Sequence, residues 1–271
     1  MPVRRSLGGR NALLTLLALL TTGTTLAAQA VDRDRWCRDD DSDRPRACEV
    51  REFTLAPTGT FRVDAAPNGG IEVTGGDESR VRVLARVTAS ARTEAEATAL
   101  LQEVRVAAAD GRVEADGPRG GRHRWWSVSY RVFVPRKTGL RLESINGGID
   151  VSGVAGDMDL ETTNGGLHLE RVAGRVTGRT KNGSVELVLD GQRWDGEGVD
   201  LQTTNGSVRL WVPEDYSANV ETGTVNGGLE TDFPVTLQGR LRGRRLDLTL
   251  GSGGPRIRAV TTNGSVSLRR P

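Results

Sequence analysis

The feature that most constrains this chain is a four-residue phrase, Asn-Gly-(Gly/Ser)-aliphatic, which occurs seven times, beginning at Asn68, Asn146, Asn164, Asn182, Asn205, Asn226 and Asn263. From Asn146 the successive spacings are 18, 18, 23, 21 and 37 residues, the last about two of the shorter ones. A unit of 18 to 23 residues therefore recurs through the C-terminal half, and self-similarity at such a period marks a stacked-repeat architecture. Asp110-Gly111-Arg112-Val113, 36 residues before Asn146, reads as a decayed copy.

Aligned on the Asn, the third following residue is Ile71, Ile149, Leu167, Val185, Val208, Leu229 or Val266, and the fifth is Val73, Val151, Leu169, Leu187, Leu210, Thr231 or Leu268. Apolar residues two apart with polar ones between place a half-buried strand directly after each corner. Two residues before the Asn stand Ser144, Thr162, Thr180, Thr203, Thr224 and Thr261, with Ala66 the exception. The Gly after each Asn predicts a backbone with positive φ, closed to β-branched residues, at Gly165 and Gly206 among others.

Two all-β architectures fit these columns. Asn-Gly between alternating apolar runs is a strong hairpin signal, and would build an antiparallel β-meander. A β-solenoid instead makes each unit one coil and stacks like residues into ladders. The solenoid accounts for hydroxyl, Asn and aliphatic columns repeating together, whereas the meander needs only a suitable turn. An inward Asn column would chain its amides along the axis. With 35 Gly and only 4% aromatic residues, the core must be aliphatic on a chain that turns often.

Arg4, Arg5 and Arg10, an apolar run from Ala12 to Leu20 and Ala28-Gln29-Ala30 match a secretory signal over residues 1–30. The apolar run is too short to span a bilayer, so the mature chain is expected to lack a transmembrane span and to be exported, to the periplasm or beyond. Beyond residue 30 there are 37 − 3 = 34 basic residues against 35 acidic ones. A net charge near −1 supplies no overall attraction to nucleic acid. Cys37 and Cys48 are expected to pair in that oxidising compartment, within a linker spanning 31–50 that carries the acidic run Asp39 to Asp43.

Residues 51–135 read as an N-terminal β region, with strands broken at Pro57-Thr58-Gly59 and Pro67-Asn68-Gly69-Gly70. One short helix runs from Thr93 to Val104, with Thr93 and Glu96 as a capping box and Ala95, Ala99 and Leu100 or Leu101 at helical spacing. It is expected to cover an end or side of the core. Residues 136–271 form the repetitive solenoid.

Val132-Phe133-Val134-Pro135, followed by Ile145-Asn146-Gly147-Gly148-Ile149, Thr163-Asn164-Gly165-Gly166-Leu167 and Lys181-Asn182-Gly183-Ser184-Val185, resembles the bacterial putative-adhesin domain family of unknown function. These are β-solenoid-like envelope proteins, and the resemblance covers roughly residues 50 to 271. It implies an envelope location and a link to envelope stress, and brings no catalytic residues to transfer.

For chemistry, the sequence holds two histidines, His123 and His168, and no G-x-S-x-G elbow. His168, between Leu167 and Leu169, faces outward. Asp157, Asp159 and Glu161 alternate with Met158 and Leu160, so three acids share one exposed face. Glycoside hydrolysis needs two carboxylates at a set separation, which keeps a glycan-cleaving enzyme on a β-helical scaffold as the alternative. The aspartate column of calcium-binding solenoids is missing, and neither a metal nor any other cofactor is expected.

Arg122-His123-Arg124-Trp125-Trp126 is the one basic cluster with aromatics, and Trp125 and Trp126 are the candidate ligand contacts. They lead into a strand that would bury one of them. Outward-facing Thr hydroxyls on a flat sheet would instead make a surface for ice or another crystal. The leading expectation is an exported, non-enzymatic adhesin-like binding or scaffold module whose partner is an envelope protein or a glycan.

Overall fold

The computed structural model describes residues 35–38, 44–65, 67–233 and 244–271. The expected signal segment and the acidic run lie outside the described residues. Two compact units divide the chain at Asp41. Of the first, residues 35–38 form a helical turn. Cys37 and Cys48 are both disulfide-bonded, and they are the only cysteines in the sequence.

The second unit, Ser42–Pro271, carries β1 (Arg46–Leu55), β2 (Thr60–Asp64), β3 (Ile71–Gly76), β4 (Val81–Ser90) and the helix α1 (Glu94–Glu103). Strand β1 thus starts inside the segment read as linker, because its backbone pairs along its whole length with β4. Next come β5 (Arg105–Ala109), β6 (Arg112–Asp116), β7 (Trp125–Pro135), β8 (Gly139–Asn146), β9 (Ile149–Ser152), β10 (Ala155–Asn164) and β11 (Leu167–Glu170). The chain continues through β12 (Ala173–Asn182), β13 (Val185–Val188), β14 (Gly198–Asn205), β15 (Val208–Trp211), β16 (Ala218–Asn226) and β17 (Leu229–Thr231). It ends with β18 (Arg244–Leu250), β19 (Arg256–Asn263) and β20 (Val266–Arg269).

These strands make two ten-stranded sheets. Sheet I runs β1-β4-β7-β3-β9-β11-β13-β15-β20-β17, and sheet II runs β18-β16-β19-β14-β12-β10-β8-β2-β6-β5. From β8 to β15 the chain alternates between a longer strand of sheet II ending at an Asn and a four-residue strand of sheet I after the corner. Every neighbour in that stretch is parallel, with Asn146, Asn164, Asn182 and Asn205 successive register partners. The antiparallel meander is therefore excluded there, and the all-β, parallel, solenoid-like arrangement holds. The aliphatic columns line the space between the sheets: Ile149, Val151, Leu167, Leu169, Val185, Leu187, Val208 and Leu210 are buried.

The Asn column differs in placement from the inward one expected. The Asn side chains lie at the bend, mostly exposed, because alternation ends where the strand turns. They still join into one unbroken amide chain: Asn146 donates to Asn68 (2.9 Å), Asn164 to Asn146 (2.8 Å), Asn182 to Asn164 (2.8 Å) and Asn205 to Asn182 (2.9 Å). Asn263 then donates to Asn205 (2.8 Å) and Asn226 to Asn263 (2.8 Å). The hydroxyl column is the buried one, which removes the outward Thr face that crystal binding requires. Ser144, Thr162, Thr180 and Thr203 each donate to the carbonyl of the corner Gly one coil back, at 2.7–2.9 Å. Thr261 and Thr224 do the same to Gly206 and Gly264.

Gly165 and Gly206 lie outside the left-handed region, contrary to the positive φ expected of them. What demands glycine is proximity. A Cβ on Gly165 would stand 2.0 Å from the carbonyl oxygen of Gly147, and one on Gly206 would stand 2.1 Å from that of Gly183. The left-handed Asp-Gly turn occurs elsewhere: Asp110 (φ 49°) and Gly111 (φ 71°) close the antiparallel β5–β6 hairpin. That is the turn type in which both central residues need positive φ, so Asp110-Gly111 is a hairpin and not a worn copy of the corner.

At each end of the stack, chain order and stacking order diverge. The Asn263 coil (β19, β20) sits between the Asn205 and Asn226 coils, parallel to both. Likewise β7 enters between β4 and β3. Antiparallel strands terminate three of the four ladder ends, with β1 on β4, β5 on β6 and β18 on β16, while β17 ends sheet I parallel to β20. Helix α1 is capped by Thr93, which accepts from the Glu96 N–H, while Glu96 reaches back to the Arg92 N–H. Its buried residues are Ala97, Leu100 and Leu101; Ala95 and Ala99 are exposed. Leu100 and Leu101 join the core cluster with Val87 and Ala89 of β4, so α1 covers the N-terminal end. Arg51 of β1 donates to the carbonyls of Val104 (2.6 Å) and Leu101 (3.2 Å), a cation placed where the helix dipole is negative.

The corner geometry makes Gly165→Ala destabilising by about 2–4 kcal/mol, since a backbone carbonyl must move. Gly121→Ala, where a Cβ meets nothing within 4 Å, should melt within about 2 °C of the parent. Thermal unfolding followed by circular dichroism compares the two.

Candidate binding surfaces

Consecutive strand residues face opposite ways, and β7 divides the tryptophan pair. Trp126 is 7% exposed and belongs to the core cluster. Its indole N–H donates to the Pro118 carbonyl at 2.7 Å, anchoring the loop before β7. It is therefore a packing residue, not a ligand contact. Trp125 is 37% exposed on the outer face of sheet I, and Arg122 and His123, a few residues earlier in the chain, are also exposed. Arg124 is engaged by Glu103 of α1.

Along the outer face of sheet I, the residue four places after each Asn forms a row: Glu72, Asp150, His168, Glu186, Arg209, Ser267 and Glu230. His168 Nδ1 lies 3.7 Å from Glu186, which also accepts from the Trp211 indole at 2.6 Å and lies 3.6 Å from Arg209. Burial raises the Asp150 carboxyl pKa, His168 opposes that shift and Glu72 adds to it. The register neighbours of His168 in this row are the carboxylates Asp150 and Glu186, with no Ser, Thr or Cys beside it.

On the outer face of sheet II, Asp157, Asp159 and Glu161 are exposed. Asp157 is committed to Arg175 at 2.8 Å, and Asp159 lies in register between Arg141 and Thr177. Among the described residues, no group of three or more His, Cys, Asp or Glu is placed to hold a metal ion. No described helix is long and apolar enough to cross a membrane.

The same face carries a feature that sequence reading missed. Near the C-terminal end, β18 leans over β16 at Gly223, where a Cβ would meet the Arg244 carbonyl oxygen at 2.7 Å. A groove of about 790 Å³ lies beside it, and its lining includes Arg179, Arg244, Arg245, Arg258 and Glu221. Glu221, with its side chain 14% exposed, pairs with Arg245, with Arg256 at 3.1 Å and with Arg258 at 3.3 Å. Burial pushes the Glu221 carboxyl pKa upward. The Arg245 hydrogen bond and the charges of Arg256 and Arg245 outweigh it, holding the pKa below the usual carboxylate value. Alternating Arg256 and Arg258, and the Arg244-Arg245 pair, are visible in the sequence. Their meeting with Arg179 is not, because it depends on β19 lying between β14 and β16.

The model of the Toastrack DUF4097 family matches residues 71–269. Among solved structures, the chain is similar to a putative cell adhesion protein from Clostridium sporogenes, at 10% identity and a TM-score of 0.40, covering 83% of this chain and 100% of that one. It is also similar to a putative adhesin from Bacteroides fragilis, at 11% identity and a TM-score of 0.42, covering 82% and 97%. A third is a putative lipid binding protein from Parabacteroides distasonis, at 10% identity and a TM-score of 0.31, covering 82% and 96%. No curated protein matches.

Two outcomes follow from these placements. Trp126→Ala should cost about 3–5 kcal/mol, whereas Trp125→Ala should leave the melting temperature within about 2 °C. Because the folded Glu221 pKa is depressed, its contribution to stability is present above the ordinary carboxylate range and is lost as pH falls through that range and below. Melting temperature measured against pH should therefore fall less steeply on the acid side in Glu221→Gln than in the parent. With its match spanning both sheets from β3 to β20, the chain belongs to the Toastrack DUF4097 family.

Proposed function

We propose that the protein is an exported, non-enzymatic, adhesin-like binding or scaffold module of the cell envelope, holding an envelope protein or a glycan on its outer faces. One observation carries this reading: the repeated polar groups are spent on the fold. The Asn amides bond to one another, and the Ser and Thr hydroxyls bond to corner carbonyls. Recognition is therefore left to the residues that vary from coil to coil, and those point outward. One unit of 18 to 23 residues is read as one coil, supported by register partners 18, 18 and 23 residues apart.

Residues 1–30 would direct export, and residues 31–50 would carry the disulfide-bonded cysteines, with Cys48 already within β1. Trp125, an exposed ring on the outer face of sheet I, is the proposed aromatic contact. A part in envelope stress is the finer reading that the family resemblance supplies.

The test is retention of envelope components by the immobilised full chain. Trp125→Ala should lower retention several-fold with an unchanged melting temperature, and polysaccharides incubated with the protein should gain no reducing ends. New reducing ends that disappear in Asp157→Asn with Asp159→Asn would overturn the non-enzymatic reading.

A further inference from the structure

The groove on sheet II is walled by Arg179 of β12 on one side and by Arg244 and Arg245 of β18 on the other, with Arg258, Gln202 and Val260 between them. From β12 to β18 the sheet order crosses β14, β19 and β16. The three steps from β12 to β16 span roughly 14 Å, with β18 rising beyond them. That span suits an extended chain rather than a single ion. Four arginines line the groove against one carboxylate, Glu221. Arg245 and Arg258 are tied to that carboxylate, while Arg179 and Arg244 make no ion pair with any described residue.

We infer that this groove binds an acidic polysaccharide, a sugar chain bearing carboxylates. The inference rests on the reading of the protein as a binding module and gives that reading a ligand class and a place. The planar guanidinium fork matches a carboxylate through two parallel hydrogen bonds, and among the described residues no carboxylate already occupies Arg179 or Arg244. Exposed Thr204 and Thr262, with Gln202, offer hydroxyl and amide partners to sugar hydroxyls. Val260 and Val225, the latter 68% exposed, give the apolar surface on which the C–H face of a sugar rests. A single-stranded nucleic acid fits less well, because no aromatic ring lines the groove to stack a base.

The test is a titration of the full chain with polygalacturonate oligomers, with neutral dextran oligomers and single-stranded DNA as comparisons. Polygalacturonate should bind, and added salt should weaken it; dextran should not bind, and DNA should bind at least tenfold more weakly. Arg179→Gln with Arg244→Gln, which spares the Glu221 cluster, should lower polygalacturonate affinity at least tenfold at an unchanged melting temperature. Three results would each overturn the assignment: absent polygalacturonate binding, equal affinity in the double variant, and DNA binding as tight as polygalacturonate binding. Reducing ends measured in the same samples report separately on the non-enzymatic reading. Their appearance would fail that reading and leave the groove to stand or fall on the arginine variants.

Discussion

Everything in this stack depends on how closely one corner backbone approaches the next. The carbonyl of each corner Gly points along the axis at the Gly of the following coil, with no room for a Cβ between them. That approach fixes the coils in register, and register brings the Asn amides within hydrogen-bond reach of one another and the Ser or Thr hydroxyls within reach of the corner carbonyls. Each such bond contributes about 1 kcal/mol net. Their larger effect is on specificity. A slip of one residue would reverse the face of every side chain and break both ladders at once.

A parallel stack leaves an open ladder at either end, and an open edge invites pairing with another chain. Here both ends are handled by the same topological device. The chain leaves a gap, lays down an outer element, and returns to fill the gap, with β7 at one end and β19–β20 at the other. Antiparallel β1, β5 and β18 form three of the four edges, β17 forms the fourth parallel to β20, and α1 inserts Leu100 and Leu101 into the N-terminal core. The groove exists because of this ending. Strand β18, as the last member of sheet II, is free to lean over Gly223 and raise a wall that no strand in the middle of a flat sheet can make.

Between the ends, the outer faces are rows of residues one strand spacing apart, so charge is patterned across the coils rather than along the chain. Arg112, Arg62 and Arg141 stand side by side, as do Glu114, Asp64 and Glu143 two residues further on. Such rows place like charges together and opposite charges diagonally. Functional character on this fold is therefore a property of neighbouring coils, and no single stretch of sequence contains it.

The local rules were legible in the residues themselves. Asn-Gly corners, aliphatic columns with period two, the Thr93 cap and the opposite facing of Trp125 and Trp126 all follow from interactions within a few residues, so they survive without knowledge of the fold. Tertiary structure decided the rest. It put the hydroxyls inside and the amides at the rim, and it chose Ala97, Leu100 and Leu101 over Ala95 and Ala99 as the buried stripe of α1. It also turned Asp110-Gly111 into a hairpin and set the Asn263 coil ahead of the Asn226 coil. The physical reason is common to all of these. Each depends on which backbone lies next to which, and pairing between coils is settled by the packing of the whole stack, to which residues distant in sequence contribute equally with near ones.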